Sequence, residues 1–490
     1  MSSTEQSNRR LANAGVRTTA PHLWWLWIGL FVAALALLGG SSRPDPIQNA
    51  LLRPLSALIL IPALYHLRLA DLRRVKALGT LLGLMVAWMI IQLVPLPPAL
   101  WQALPGRGVI AELNALAGIE AAWRPLSLAP FRGLNSVLGM LIPVAALLLA
   151  LSMKLSTRLV LLIIVAVALA NATFGLLQVI GGPRSPLYLF AITSRGAPAG
   201  IFANENHSAV FSALALLTIV RLSIETSVSH NPGWLRLAAA PAFMFILLAV
   251  LVTGSRAGYA ATLAVLIAAG AMVFLKSREK VATTRHHPGG NALHKHSGLI
   301  ALAFAAVLAL VVMMFVWLER TPALQDIMAR SSFEDLRWSL WPVIAAMIGD
   351  HWLLGTGFGS FDAVYLFYEP VTLLLPRYVN HAHNDFAQLV IEGGLPAMVL
   401  FLALCVWLLS ALWTMARQAT MPASYLTFWM ASIAIIVAAS LVDYPMRTPI
   451  FQAVFIWLMV SLAREKACVI SKHQSARECE PIRQKLLAGA

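Results

Sequence analysis

Residues 381–411 read HAHNDFAQLVIEGGLPAMVLFLALCVWLLSA. After Asp385 the run carries a single acid, Glu392, in an apolar background, and it is longer than the roughly 20 residues that a helix needs to cross a bilayer. Titratable groups at the mouth of such a helix are costly unless they have work to do.

The rest of the chain repeats the pattern. Apolar runs of spanning length lie near 23–40, 51–67, 78–96, 134–152, 158–180, 205–222, 236–253, 257–275, 299–319, 386–411, 423–441 and 447–463. The 490 residues are 59% hydrophobic and 12% charged, whereas a soluble globular domain is about a quarter charged. Unpaired backbone groups are not tolerated in hydrocarbon and no alternating strand pattern recurs, so the spans are helices. The expected fold is an all-α polytopic membrane protein of about 12 transmembrane helices with a long loop between helices nine and ten. The first span is expected to be a retained anchor, because Leu37-Leu38-Gly39-Gly40-Ser41 lacks a small-x-small cleavage site.

Basic residues orient the bundle, since cytoplasmic loops keep the excess of Lys and Arg. A cytoplasmic N-terminus puts most of the 36 Lys and Arg inside, among them Arg73, Arg74, Lys76 and the tail beyond Arg464. Residues 1–22 and 465–490 are then cytoplasmic tails around a transmembrane domain at 23–464, and 97–133 and 320–385 are outer segments. The net charge of +15 is dispersed over loops without an aromatic platform, which excludes nucleic acid and fits contact with membrane lipid. Cys405, Cys468 and Cys479 form no CxxC motif, so no disulfide framework is implied.

Long loops tend to carry function. The second outer segment holds Ser331 to Trp341, read as an amphipathic interfacial helix with Trp338 and Trp341 in the aromatic belt, and a glycine-rich turn from Gly355 to Phe361. That turn lacks the Lys-Ser/Thr of a P-loop, so nucleotide binding is excluded. Even-numbered helices begin outside with capping residues: Asn204 and Asn206 for the sixth, Ser255 for the eighth, Asn384 or Asp385 for the tenth. Helix starts gathered on one face with Arg256, Arg195, Arg337 and Arg447 would bind an anion, best a lipid-linked phosphate or diphosphate.

Ser255-Arg256, Arg337 followed by Trp341, the Gly355–Phe361 turn and His383-Asn384 followed by Gly394 resemble the O-antigen ligase and O-antigen polymerase superfamily over about residues 200–464. The resemblance implies a GT-C-like bacterial inner-membrane enzyme, its long loop periplasmic, that takes a glycan from an undecaprenyl-diphosphate carrier outside the cytoplasmic membrane and passes it to an acceptor hydroxyl. The acceptor is the lipid A core in the ligase branch, a growing glycan in the polymerase branch and a protein side chain in a third. Pro396-Ala397 departs from the Gly, Thr or Tyr usual there, which leaves the branch open.

Such a transfer needs a group to take the acceptor proton and another to hold the charge on the leaving diphosphate. His383 at a helix N-terminus suits the first; Arg256 and Arg337 suit the second. Arg195, Asn206, His207, Asn384, Asp385 and Arg447 are the expected substrate-binding residues; Arg184 and Arg377 are ordinary loop charges. The first outer loop offers Asp45 alone as an acid, so neither metal nor cofactor is expected. His381 is read as structural, Asp385 as a cap, Glu392 as paired or facing a cavity, and Asp443 with Arg447 as a mutual salt bridge across Tyr444-Pro445-Met446. His286, His287, His294 and His296 read as a cytoplasmic loop. A secondary transporter, the alternative from another class, normally carries ionisable or broken-helix sites near the midplane and detectable halves.

Overall fold

In the computed structural model, residues 21–43, 46–225, 233–284, 332–374, 379–418 and 421–488 are described. Their helices are α1 (Pro21–Leu38), α2 (Ile47–His66), α3 (Leu69–Arg74), α4 (Lys76–Ile91), α5 (Pro98–Gln102), α6 (Gly108–Leu116), α7 (Pro130–Gly139), α8 (Leu141–Ser152) and α9 (Thr157–Ile180). There follow α10 (Glu205–Glu225), α11 (Gly233–Val252), α12 (Arg256–Thr284), α13 (Ser332–His351), α14 (Phe361–Tyr365), α15 (Asp385–Ala416), α16 (Ala423–Val442) and α17 (Pro449–Ala488). A two-residue antiparallel ladder, Pro95–Leu96 against Arg124–Pro125, is the sheet among the described residues. Seven of these stretches are long and apolar enough to cross a membrane. The chain is an all-α polytopic membrane protein. Each expected span falls on described helices, 134–152 on two that meet at Met140, α7 and α8, except 299–319, which lies outside the described residues, as do the four histidines at 286–296 and Arg377.

Helix α10 is the axis of the bundle. It packs on α9, α11, α12 and α16, and residues from His207 to Arg221 are buried without a polar face, as expected of a helix wrapped by others. Small residues let the backbones close: a Cβ on Gly258 of α12 would stand 2.3 Å from Cβ of Ala209. Asn171 of α9 donates to Ser208 Oγ (2.9 Å) and Ser212 Oγ (3.1 Å) of α10, which satisfies polar groups that hydrocarbon would leave unpaired. Peripheral helices turn Leu58, Ile61 and Leu64 outward, where lipid tails replace water.

Helix α15 departs from the expected uninterrupted span. Gly394 has φ +63° and ψ −162°, a region essentially open to glycine alone, and the helix breaks there. The carbonyls freed by the break are taken from outside: Thr356 N–H donates to Ile391 O (2.9 Å), Gly357 N–H to Glu392 O (3.0 Å), Gln92 Nε2 to Glu392 O (2.9 Å) and Trp88 Nε1 to Gly393 O (2.7 Å). The glycine-rich turn thus serves as a backbone cradle for a broken helix. Pro396 lies in the first turn of the restarted half, where its missing N–H is no loss, which gives the Pro396-Ala397 departure a structural reason.

The helix expected at the interface also runs further than Trp341. It continues through Pro342 to His351 because Leu340, Val343, Ile344 and Met347 bury against α14 and α15. Trp338 and Trp341 stay exposed. Arg107, almost fully buried in the 97–133 segment, donates to Leu126 O (2.6 Å) and Gly355 O (3.3 Å), tying that segment to the glycine turn.

Candidate active site

The site is built on the N-terminus of α15. Asn384 is extended, and its Oδ1 accepts from the N–H groups of Phe386 (3.0 Å) and Ala387 (2.9 Å), as an N-cap should. Its Nδ2 donates to Leu441 O (3.0 Å) at the end of α16. Asn384, not Asp385, is therefore the cap. His383, just before it, has φ +52°. Histidine reaches this left-handed region more readily than most residues, at a cost of about 1–2 kcal/mol.

Asp443, buried at the end of α16, joins the first helix start to the second. Its carboxylate lies 3.7 Å from His207 Nε2 and 3.7 Å from His383 Nδ1, and it accepts from Asn206 Nδ2 (3.2 Å) and Tyr444 N–H (3.0 Å). Burial alone would raise its pKa, but the two imidazoles outweigh that and hold it well below the usual carboxylate range. Asn206 Oδ1 accepts from Ser255 Oγ (2.7 Å), and Ser255 caps α12 at Gly258 N–H (2.9 Å), next to Arg256. Tyr444 sits inside three imidazoles: its ring is 4.4 Å from His381, 5.0 Å from His383 and 5.2 Å from His207. Burial, with Arg447 and His383 nearby, pushes His381 well below its ordinary pKa, so His381 is neutral.

Arg447 belongs to a second group. Its Nη1 donates to Glu392 Oε2 (2.6 Å) and its Nε lies 3.5 Å from Asp385 Oδ1. Glu392 is fully buried and also accepts from Gln388 Nε2 (3.1 Å) and Phe361 N–H (3.3 Å). Asp385 accepts from Met446 N–H (3.1 Å). The turn at 443–447 thus sends its two charges to different partners from the mutual bridge expected.

Both groups stand beside a cavity of about 650 Å³. Asp385, Arg447, Glu392 and His381 face it, while Met85, Met89, Phe401 and Leu404 form its apolar walls. His383, Asn384, Asn206, His207 and Arg256 do not line it. The first four make a layer behind the wall, held by Asp443 and Asn384's contacts. Arg256 opens α12 beside Ser255 with its side chain exposed. Arg195 is exposed in the loop before α10, bonded to Pro183 O (3.2 Å) and stacked over Tyr188 (5.5 Å). The side chain of Arg337 lies outside the described residues.

A titratable layer at a capped helix start, backed against an amphipathic cavity, suits a lipid-borne anionic substrate. Residues 241–402 match the O-antigen ligase family. The match supports the superfamily implied by Ser255-Arg256 and His383-Asn384, both of which lie within it. No curated protein matches the chain. The matched segment points to an O-antigen ligase or polymerase-like function. Outside the O-antigen ligase segment lie Asp443, Tyr444 and Arg447, which the fold brings to it. The carboxylate shared by His207 and His383 escaped sequence reading, because nothing local distinguishes Asp443 from a turn acid. Glu392 and His381 carried one usable signal, polarity beside or within an apolar span.

Proposed function

We propose that the protein is a periplasmic-face glycosyltransferase of the bacterial inner membrane that moves a glycan from an undecaprenyl-diphosphate carrier to an acceptor hydroxyl. His383 takes the acceptor proton as the acceptor oxygen bonds to the anomeric carbon, and the bond from that carbon to the diphosphate breaks with its electron pair leaving on the carrier. Arg256 and Arg337 neutralise the leaving diphosphate, which assigns that task to arginine rather than to a metal. Asp443 faces His383 Nδ1 at 3.7 Å, so Nε2 is the nitrogen left for the acceptor, the arrangement by which a carboxylate orients a base.

The observation that supports this reading is one wall shared by two features. Asp385 and Arg447 border the apolar cavity on one side, and on the other they are joined through Met446 and Tyr444 to the histidine layer. A lipid chain and a reacting sugar diphosphate would be held in adjacent compartments. The test deletes the gene, complements it with His383→Ala or Arg256→Ala, and resolves surface glycans on gels. Loss of transfer is expected in both. Unattached full-length polysaccharide in the deletion marks the ligase branch; single repeat units mark the polymerase branch. Wild-type glycan from His383→Ala refutes the proposed base.

A further inference from the structure

Four arginines line the cavity, Arg43, Arg53, Arg132 and Arg447, and the partners of the last three differ in charge. Arg447 is matched by Asp385 and Glu392. Arg132 of α7 pairs with Asp362. Arg53 of α2 lines the same cavity, and its Nη1 donates to the neutral Asn135 Oδ1 of α7 at 2.9 Å. Among the described residues Arg53 has no acidic partner. A guanidinium on a membrane-spanning helix is expensive without a counter-charge, and one matched only by an amide keeps most of its five N–H donors for something else.

The surroundings specify the chemistry of that counter-charge. Arg53, Asn135 and Arg43 line the cavity together with the Arg447 group, and Leu82, Met85, Met89, Phe401 and Leu404 supply apolar lining. The matching ligand is anionic at one end and long, apolar and flexible behind it. A phosphate ester suits the guanidinium fork, which binds two oxygens at once, and the low dielectric beside the apolar wall strengthens the contact. The Arg447 group cannot supply this charge, because two acids already share its guanidinium.

We infer that Arg53, positioned by Asn135, is the cation that binds the lipid-side phosphate of an isoprenyl-type diphosphate from this cavity, with the proximal part of the chain along α4 and the second half of α15, while the sugar-side phosphate stays with the arginines of the proposed transfer. The inference rests on the proposed transfer from a lipid-linked donor, and adds a binding residue from a helix that lies outside the segment matched to the O-antigen ligase family. Arg53 binds the carrier; the reacting bond lies toward Asp385 and the histidine layer. Donor seating and acceptor activation are then carried by separate residues.

The full-length protein is purified into phosphatidylcholine nanodiscs and titrated with undecaprenyl diphosphate, with the bound lipid read by native mass spectrometry. Arg53→Gln is expected to weaken binding about tenfold or more, as loss of a charge-assisted bond implies, and Arg53→Lys to fall between it and the wild type. Asn135→Leu leaves the charge and removes its support, so it weakens binding less than Arg53→Gln. Unchanged affinity in Arg53→Gln overturns the inference. So does equal competition by inorganic diphosphate or phosphatidylglycerol, which would make the site a general anion or phospholipid contact. Thermal unfolding of each variant without lipid shows that it is folded, and Arg53→Lys carries the test should Arg53→Gln not fold. Glycan gels on His383→Ala test the proposed reaction separately, since transfer persisting there refutes the base and leaves the lipid titration standing.

Discussion

Arg447 Nη1 lies 2.6 Å from Oε2 of Glu392, a carboxyl with no solvent exposure, and the two are 55 positions apart in the chain. The pair fastens the turn before α17 to the first half of α15, and it does so at the wall of the cavity. Removing one partner of such a pair strands the other in low dielectric, at a cost of about 3–5 kcal/mol. Arg447→Met is therefore expected to lower the melting temperature in detergent sharply. Adding Glu392→Gln to Arg447→Met should restore part of the loss, and strictly additive effects would show that the two residues are not coupled.

Asp443 serves both His207 and His383. Asp443→Asn keeps its shape and removes its charge, so transfer should fall about 100-fold or more, as for other bases deprived of an orienting carboxylate, while the protein still folds. The depressed pKa of Asp443 also gives a sign. Its stabilisation is complete above the ordinary carboxylate pKa and is lost as the pH falls through the lower folded value, so the wild type should lose stability in acid and Asp443→Asn should lose less. Equal acid sensitivity of the two proteins would count against an ionised Asp443.

His351 is a second pH-dependent element. It ends α13, packs against Gly106 and hydrogen-bonds Tyr368 Oη at 3.0 Å. Burial, aided by Arg107, lowers its pKa from 6.5 to about 4. Between those values the unfolded chain takes up the proton and the folded one resists it, so stability falls with the pH across this window, by up to about 3 kcal/mol. The melting temperature should drop between pH 6.5 and 4, and His351→Gln, which has no titration there, should flatten the slope.

Gly394→Ala tests the broken helix. A Cβ there would approach Gly355 N to 2.6 Å, at a backbone angle that an L side chain avoids. The backbone strain alone amounts to roughly 1–3 kcal/mol, and the contact with the glycine turn adds to it. Thermal unfolding and surface-glycan gels should both register the change. A variant as stable and active as the wild type would mean that α15 can run straight without consequence.

The membrane helices were legible because bilayer thickness sets their length, and a run such as 158–180 leaves no other reading. Capping residues were legible in part. Asn384 and Ser255 both cap as their side chains suggest, but Asp385, equally able to cap, turns to Arg447 instead. Gly393-Gly394 followed by Pro396 was a visible sign of interruption that the apolar background concealed. Arg53 carries no local sign of its surroundings, since only with the neighbouring helices in place is its partner among the described residues seen to be the amide of Asn135.

Local hydropathy and residue type therefore determined that this chain is a helical membrane protein and that His383, Asn384 and Arg256 belong to helix starts of one family-matched segment. Tertiary structure alone decided that Asp443 is shared by His207 and His383, that Glu392 answers Arg447 and that Asp385 stands between a cavity and a histidine layer. The physical reason is range. Whether a residue enters a membrane depends on its immediate neighbours, whereas a buried charge takes its partner from whichever helix packs against it.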